Sequence, residues 1–126
     1  MTMSHQKDEL IIYINKITES TRLGEMLWTR INPTTYTWST DKPKPAKIIL
    51  QQVQRSTRRI IGGNIIVRTS THYLFKVIDQ HGQEVIAVDG SEDESINTSL
   101  SPLYEAILSG FTQKGIEFLK TILPDH

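Results

Sequence analysis

Between Thr34 and Asp89 the apolar residues alternate with polar ones or come in short runs, and no stretch there is long and periodic enough for a helix. That constrains the fold more than any other feature. Parallel strands need a crossover connection of about a dozen residues or more, usually helical. Strands in this region must therefore pair antiparallel, as a meander joined by short loops.

The strands can be placed from the pattern. In Thr34–Thr40 large residues alternate with Thr and Ser, which predicts a one-sided strand. Asp41–Pro45 is a loop stiffened by Pro43 and Pro45. Ala46–Arg55 reads as a second strand, followed by a basic connector, Arg55–Arg59. Gly62-Gly63-Asn64 allows a tight turn or a bulge. Ile65–Ser70 and His72–Asp79 read as the third and fourth strands, and His81-Gly82 turns the fourth into a fifth, Glu84–Asp89.

Helices flank this block. Leu10, Ile11, Ile14, Ile17 and Thr21 recur at helical spacing, with Ser4 as a candidate N-cap and Arg22 and Gly24 as a stop; an extension to Leu27 stays open. Asn32-Pro33 marks a turn. Gly90–Leu100 reads as a polar, acidic loop. Ser101 caps the last helix, Pro102 takes its first position and Pro124 ends it. Leu103, Ile107, Leu108, Phe111, Gly115, Phe118, Leu119 and Ile122 lie along one side of that helix. Gly110 and Gly115 leave open whether it is one helix or two.

The expected fold is thus a single α+β domain spanning residues 1–126. An antiparallel sheet of four to six strands carries an N-terminal and a C-terminal helix on one face. Trp38, Tyr36, Leu50, Phe75, Val77, Ile86, Val88, Ile107, Phe111 and Phe118 are the expected core. At 126 residues and 37% hydrophobic content the chain can bury one. It has no cysteine, which excludes disulfides, thiolate metal sites and cysteine nucleophiles. The apolar run Leu10–Ile14 is too short for a signal-peptide core or a membrane span. The reading is an intracellular, cytoplasmic protein.

Charge is sorted along the chain although its sum is zero. Asp41–Lys76 holds eight basic residues and one acid, a balance of +7. Val77–Glu105 holds seven acids and no Lys or Arg, a balance of −7. Opposite charges segregated on one small body select partners.

Catalytic patterns do not emerge. Gly62-Gly63 lacks the Lys and the following helix of a phosphate cradle. The acidic run Asp89–Glu94 lacks the spacing of a calcium loop. Asp79 and His81 read as turn residues, and Ser70 and His72 have no identifiable third group to orient a base. His5 and His126 fall near the ends. No metal, cofactor or catalytic residue is assigned, and the chain is read as a non-enzyme.

What remains is binding. Lys47, Arg55, Arg58, Arg59 and Arg68 are the candidate binding residues, with Tyr36, Trp38, Tyr73 and Phe75 on neighbouring strands. Cations beside aromatics suit single-stranded nucleic acid. The alternation of Tyr36 and Trp38 with Thr35, Thr37 and Ser39 places those rings on the core side instead. The expected function is a small binding or regulatory module acting through its charge-segregated surface, on a protein partner or by self-association as a homodimer. The alternative is a single-stranded nucleic-acid-binding protein using the segment 42–68.

Overall fold

The computed structural model describes residues 2–123. The chain runs α1 (Thr2–Arg22), β1 (Thr29–Asn32), β2 (Thr35–Thr40), β3 (Ala46–Ile61), β4 (Asn64–Ile78), β5 (Glu84–Asp89) and α2 (Glu94–Ile122). The strands form one sheet in the order β1-β2-β3-β4-β5, every neighbouring pair antiparallel. This is the α+β meander that the absence of crossover helices requires.

The strand boundaries differ from the sequence reading. β1 is short and exposed throughout, so it carries no alternation to detect. The basic connector 55–59 is part of β3, and the third and fourth predicted strands are one continuous β4. The register runs unbroken from Lys47↔Ile78 to Ile61↔Asn64. Gly62 and Gly63, at φ 57° and 79°, close it as a two-residue turn. Two consecutive positive φ values match the right-handed twist of the flanking strands, and glycine takes them without steric cost.

Both helices also differ at their starts. α1 begins upstream of Ser4, which is therefore not its N-cap, and no acid falls in its first turn. Its end is as predicted. Gly24 has φ 77°, and the N–H groups of Gly24 and Glu25 donate to the Thr21 and Ser20 carbonyls. α2 begins at Glu94, so the predicted loop 90–100 is mostly helix and Pro102 is interior. Asp93 is the cap, its carboxylate accepting the Ile96 N–H at 3.2 Å. Ile96 and Leu100 are buried in register with Leu103, Tyr104 and Ile107. That burial outweighs the hydrogen bond Pro102 removes. α2 is continuous past Gly110 and Gly115. Pro124, read as its stop, and His126 lie outside the described residues.

The core joins Ile14, Trp28, Tyr36, Ile48, Leu50, Tyr73, Phe75, Ile96, Leu100, Leu103, Tyr104 and Ile107. Trp38, Val77, Ile86, Val88 and Phe111 pack half-buried against it. Tyr36 sits at its centre, its ring 5.7 Å from Tyr104 and 5.3 Å from Phe111. Phe118 does not join: it is 63% exposed. The last buried positions of α2 are Ile107 and half-buried Phe111, and every residue from Thr112 to Ile122 is exposed. The helix packs on the body through its first half and then runs past what would cover it.

Candidate functional site

The outer halves of β3 and β4 also leave the body. From Gln54 to Thr71 every residue is exposed, on both faces. This two-stranded ribbon has eight residues on the β3 side, 54–61, and so reaches roughly 26 Å at about 3.3 Å per residue. β-Branched residues fill it: Thr57, Ile60, Ile61, Ile65, Ile66, Val67, Thr69 and Thr71. Such side chains favour extended backbone and pair across the strands, as Ile60 does with Ile65.

The ribbon's charge is of one sign. It carries Arg55, Arg58, Arg59 and Arg68 and no acid. Cross-strand partners share a face, so the register Arg55↔Ser70, Thr57↔Arg68 and Arg59↔Ile66 puts three arginines on one side. There Thr57, Arg59, Ile61, Ile66 and Arg68 line a groove of about 290 Å³. Arg58 lies on the opposite face with Ile60, Ile65 and Val67. Among the described residues none of the four arginines makes an ion pair; the pairs formed are Lys7–Asp93, Arg22–Glu19 and Lys76–Glu84. Lys47 is exposed but sits at the other end of β3, opposite Ser39 and Ile78, away from the ribbon.

Asp89 and the acidic loop that leads to Asp93 lie near the ribbon's base, while Asp79 and Glu84 lie at the far end of the sheet with Lys47. Asp89 pairs with Leu74, and Asp93 caps α2. Counted along β4 from Leu74, the arginines stand roughly 13 Å (Arg55) to roughly 26 Å (Arg59) from that level. The Debye length is about 8 Å at physiological salt. The three outer arginines stand more than two such lengths from that level and are screened from it, while Arg55, the nearest, still contributes a small share to the lowered pKa of Asp89. Donation by the Ser91 hydroxyl and N–H holds the Asp89 carboxyl below the usual range, and the charges of His72 and Arg55 add to this.

One residue fixes the base. The Asn97 side chain accepts the Tyr73 N–H at 2.9 Å and donates to the Thr71 carbonyl at 3.2 Å. It thereby ties the start of α2 to β4 just where the ribbon departs. Gly90 lies beneath it, and a Cβ there would collide with Asn97 Oδ1. Sequence reasoning misses Asn97 because it places the residue in a loop.

The other sequence candidates resolve into structure. Tyr36, Tyr73 and Phe75 are core, and Trp38 packs against it, so their faces are not offered to bases. Asp79 accepts the His81 and Gln83 N–H groups at 2.9 and 3.0 Å and so builds its own turn; the Gln83 bond is the main cause of its lowered pKa. His72 is buried, with Nε2 3.7 Å from Asp89, while the Ser70 hydroxyl donates to the Arg55 carbonyl at 3.5 Å. No group of three His, Cys, Asp or Glu suited to a metal occurs among the described residues. No described helix is long and apolar enough to cross a membrane. No family model matches the chain, and no curated protein or solved structure is significantly similar to it.

Proposed function

We propose that this protein is a non-enzymatic binding module whose working part is the ribbon, and that the ribbon binds the phosphate backbone of nucleic acid. The observation that carries this is the acid-free ribbon itself, with four exposed arginines that form no ion pair among the described residues. A guanidinium is always charged and matches phosphate oxygens in a planar fork. Thr57, and one hydroxyl of the hydrogen-bonded pair Ser56 and Thr69, add donors beside them. A two-stranded ribbon fits the roughly 12 Å major groove of a duplex.

Zero net charge weighs little against this reading, because the opposing acids lie beyond the screening distance from the outer arginines. The burial of the aromatics weighs against base stacking, so duplex is favoured over single strand as the ligand. A nucleic-acid ligand and a cysteine-free chain fit a cytoplasmic location.

The test is binding to a short duplex, and to a single strand of equal length, at rising salt. With one phosphate per arginine the log–log slope for duplex should be roughly −3.6, at about −0.9 per contact. Replacing Arg58 and Arg59 by Ala should flatten it by about two units. No binding to either form at low salt sinks the proposal.

An acidic protein partner is the competing reading. The exposed aliphatic tip, with Ile60 at 78%, favours it. It predicts that Ile60→Ser with Ile65→Ser abolishes capture of the partner while nucleic acid is not bound at all.

A further inference from the structure

The second protruding element is the end of α2, which has no part in the ribbon reading. At 3.6 residues per turn, Leu108, Thr112, Gly115, Leu119 and Ile122 fall on one side, with Ile116 and Phe118 at its margins and Thr112, whose hydroxyl donates to the Leu108 carbonyl, its one polar member. Gln113, Lys114, Glu117, Lys120 and Thr121 fall on the other. The helix end is thus amphipathic, yet its apolar side faces solvent. Leu108, Ile116, Phe118, Leu119 and Ile122 are on average about half exposed. At about 200 Å² for a large side chain they leave roughly 500 Å² of apolar surface open on each copy. That is at the upper end of what a solitary protein carries, about 300–600 Å², and patches of that size commonly serve association.

Gly115 supplies an independent observation. It weakens the helix as an interior residue. The monomer gives no reason for it: a Cβ there would meet nothing within 4 Å, and its φ is not in the left-handed region. It lies in the middle of the exposed apolar side, where the missing side chain lets another helix backbone approach closely.

We infer that two copies of this chain pair through the ends of their α2 helices, crossing near Gly115, as a two-fold symmetric dimer. A second copy is the occupant that the surface itself specifies. Any two-fold contact brings the same apolar side to both partners, so each supplies what the other needs. Complete burial of both patches removes roughly 1,000 Å² in total, about the least that a specific interface needs. The dimer carries two ribbons, so a polyanion that spans them is held at both ends and the second contact forms at high effective concentration.

The experiment is sedimentation equilibrium of the full chain over roughly a hundredfold concentration range, since a dimer responds to mass action. The expected result is a rise from monomer mass to twice that mass. Leu119→Glu should leave circular dichroism and melting temperature unchanged at low concentration and hold the protein monomeric throughout. Gly115→Ala should leave the isolated fold no less stable while weakening dimerisation by about tenfold or more, because its methyl stands at the crossing. A wild-type chain that stays monomeric over the whole range overturns the inference. So does a monomer that instead co-sediments with vesicles containing anionic lipid. So does a dimer whose mass neither substitution changes, since it uses another surface. Duplex binding by Leu119→Glu keeps the ribbon reading separate: a monomer that binds with the single-ribbon slope of roughly −3.6 supports the ribbon whatever becomes of the dimer.

Discussion

One hairpin supplies two regions of opposite character. From Lys47 to Val53, β3 pairs with His72–Ile78 in the middle of the sheet, flanked by β2 and β5 and packed beneath α2. From Gln54 to Ile61 the same strand pairs with Asn64–Thr71 and has no other neighbour. The backbone ladder is alike in both. Leu50 and Phe75 face each other across the inner half and are buried; Ile60 and Ile65 do so across the outer half and are exposed. Strand pairing and burial are thus separable. Burial comes from the layer above, and where that layer ends the ladder goes on without it. Two strands alone are marginally stable in water, so the outer half keeps its shape through its turn, its β-branched residues and the rigidity of the inner half.

The largest effect should separate the halves directly. Phe75→Ala opens a cavity in the core and should cost about 3–5 kcal/mol in chemical denaturation. Ile65→Ala truncates a large side chain on the same face of the same strand, yet should cost less than about 0.5 kcal/mol because the site is solvated. Equal costs would mean that the ribbon is packed against something. Amide exchange should follow the same division, with outer-half amides exchanging by local opening and inner-half amides only on global unfolding.

Asn97 stands at the boundary, and its removal should have an intermediate effect. Asn97→Ala leaves the Tyr73 N–H without its acceptor in a half-buried place. The expected cost is about 1–3 kcal/mol. The second consequence concerns aim. Ribbon amides near Thr69–Thr71 should show faster exchange, while those near β5 stay protected. A variant with an unchanged exchange pattern would show that the ribbon is held by the sheet alone.

The inner region is more legible in the sequence than the outer. Period two and the lack of a crossover helix suffice for the antiparallel meander, and alternation alone places Tyr36 and Phe75 in the core. The ribbon reads in pieces, because its arginines and serines resemble a solvated connector and alternation means nothing where neither face is buried. Its arginines still stand out, by charge. Ser101-Pro102 is a strong local start signal for α2, and only the burial of Ile96 and Leu100 overrides it. Phe118 continues the apolar side of α2 and so resembles a core residue. Helical periodicity reports which side is apolar, not whether anything in the same chain covers it. Asn97 carries no sequence signal, since both of its bonds go to backbone groups in β4, far away along the chain.

The smallest effect concerns acid, and it again divides the molecule. The carboxyls with depressed pKa values all border the inner region. Asp93 is held low first by the Ile96 N–H and also by Lys7, Asp89 first by the Ser91 hydroxyl, and Asp79 first by the Gln83 N–H. A carboxyl whose folded pKa lies below its unfolded value of about 3.9 contributes stability that is fully present above that value. The contribution is lost as pH falls through the folded pKa. The share of stability these carboxyls supply should therefore stay constant from about pH 7 to about pH 5, and melting temperature should decline below about pH 4 as it is lost. Asp93→Asn keeps an oxygen for the Ile96 N–H but cannot titrate, so its decline should be shallower, with little change at neutral pH because the 3.4 Å pair with Lys7 is solvent-screened. The ribbon has no group that titrates in this range, since it holds no acid and its arginines stay charged. In an NMR titration from about pH 5 to about pH 3, spanning the carboxylate range, amides of residues 57–68 should hold their shifts while those around Asp89 and Asp93 move. Large shifts in the ribbon over that range would mean that its arginines are in contact with acids after all, and the screening argument for a free, anion-seeking arm would fail.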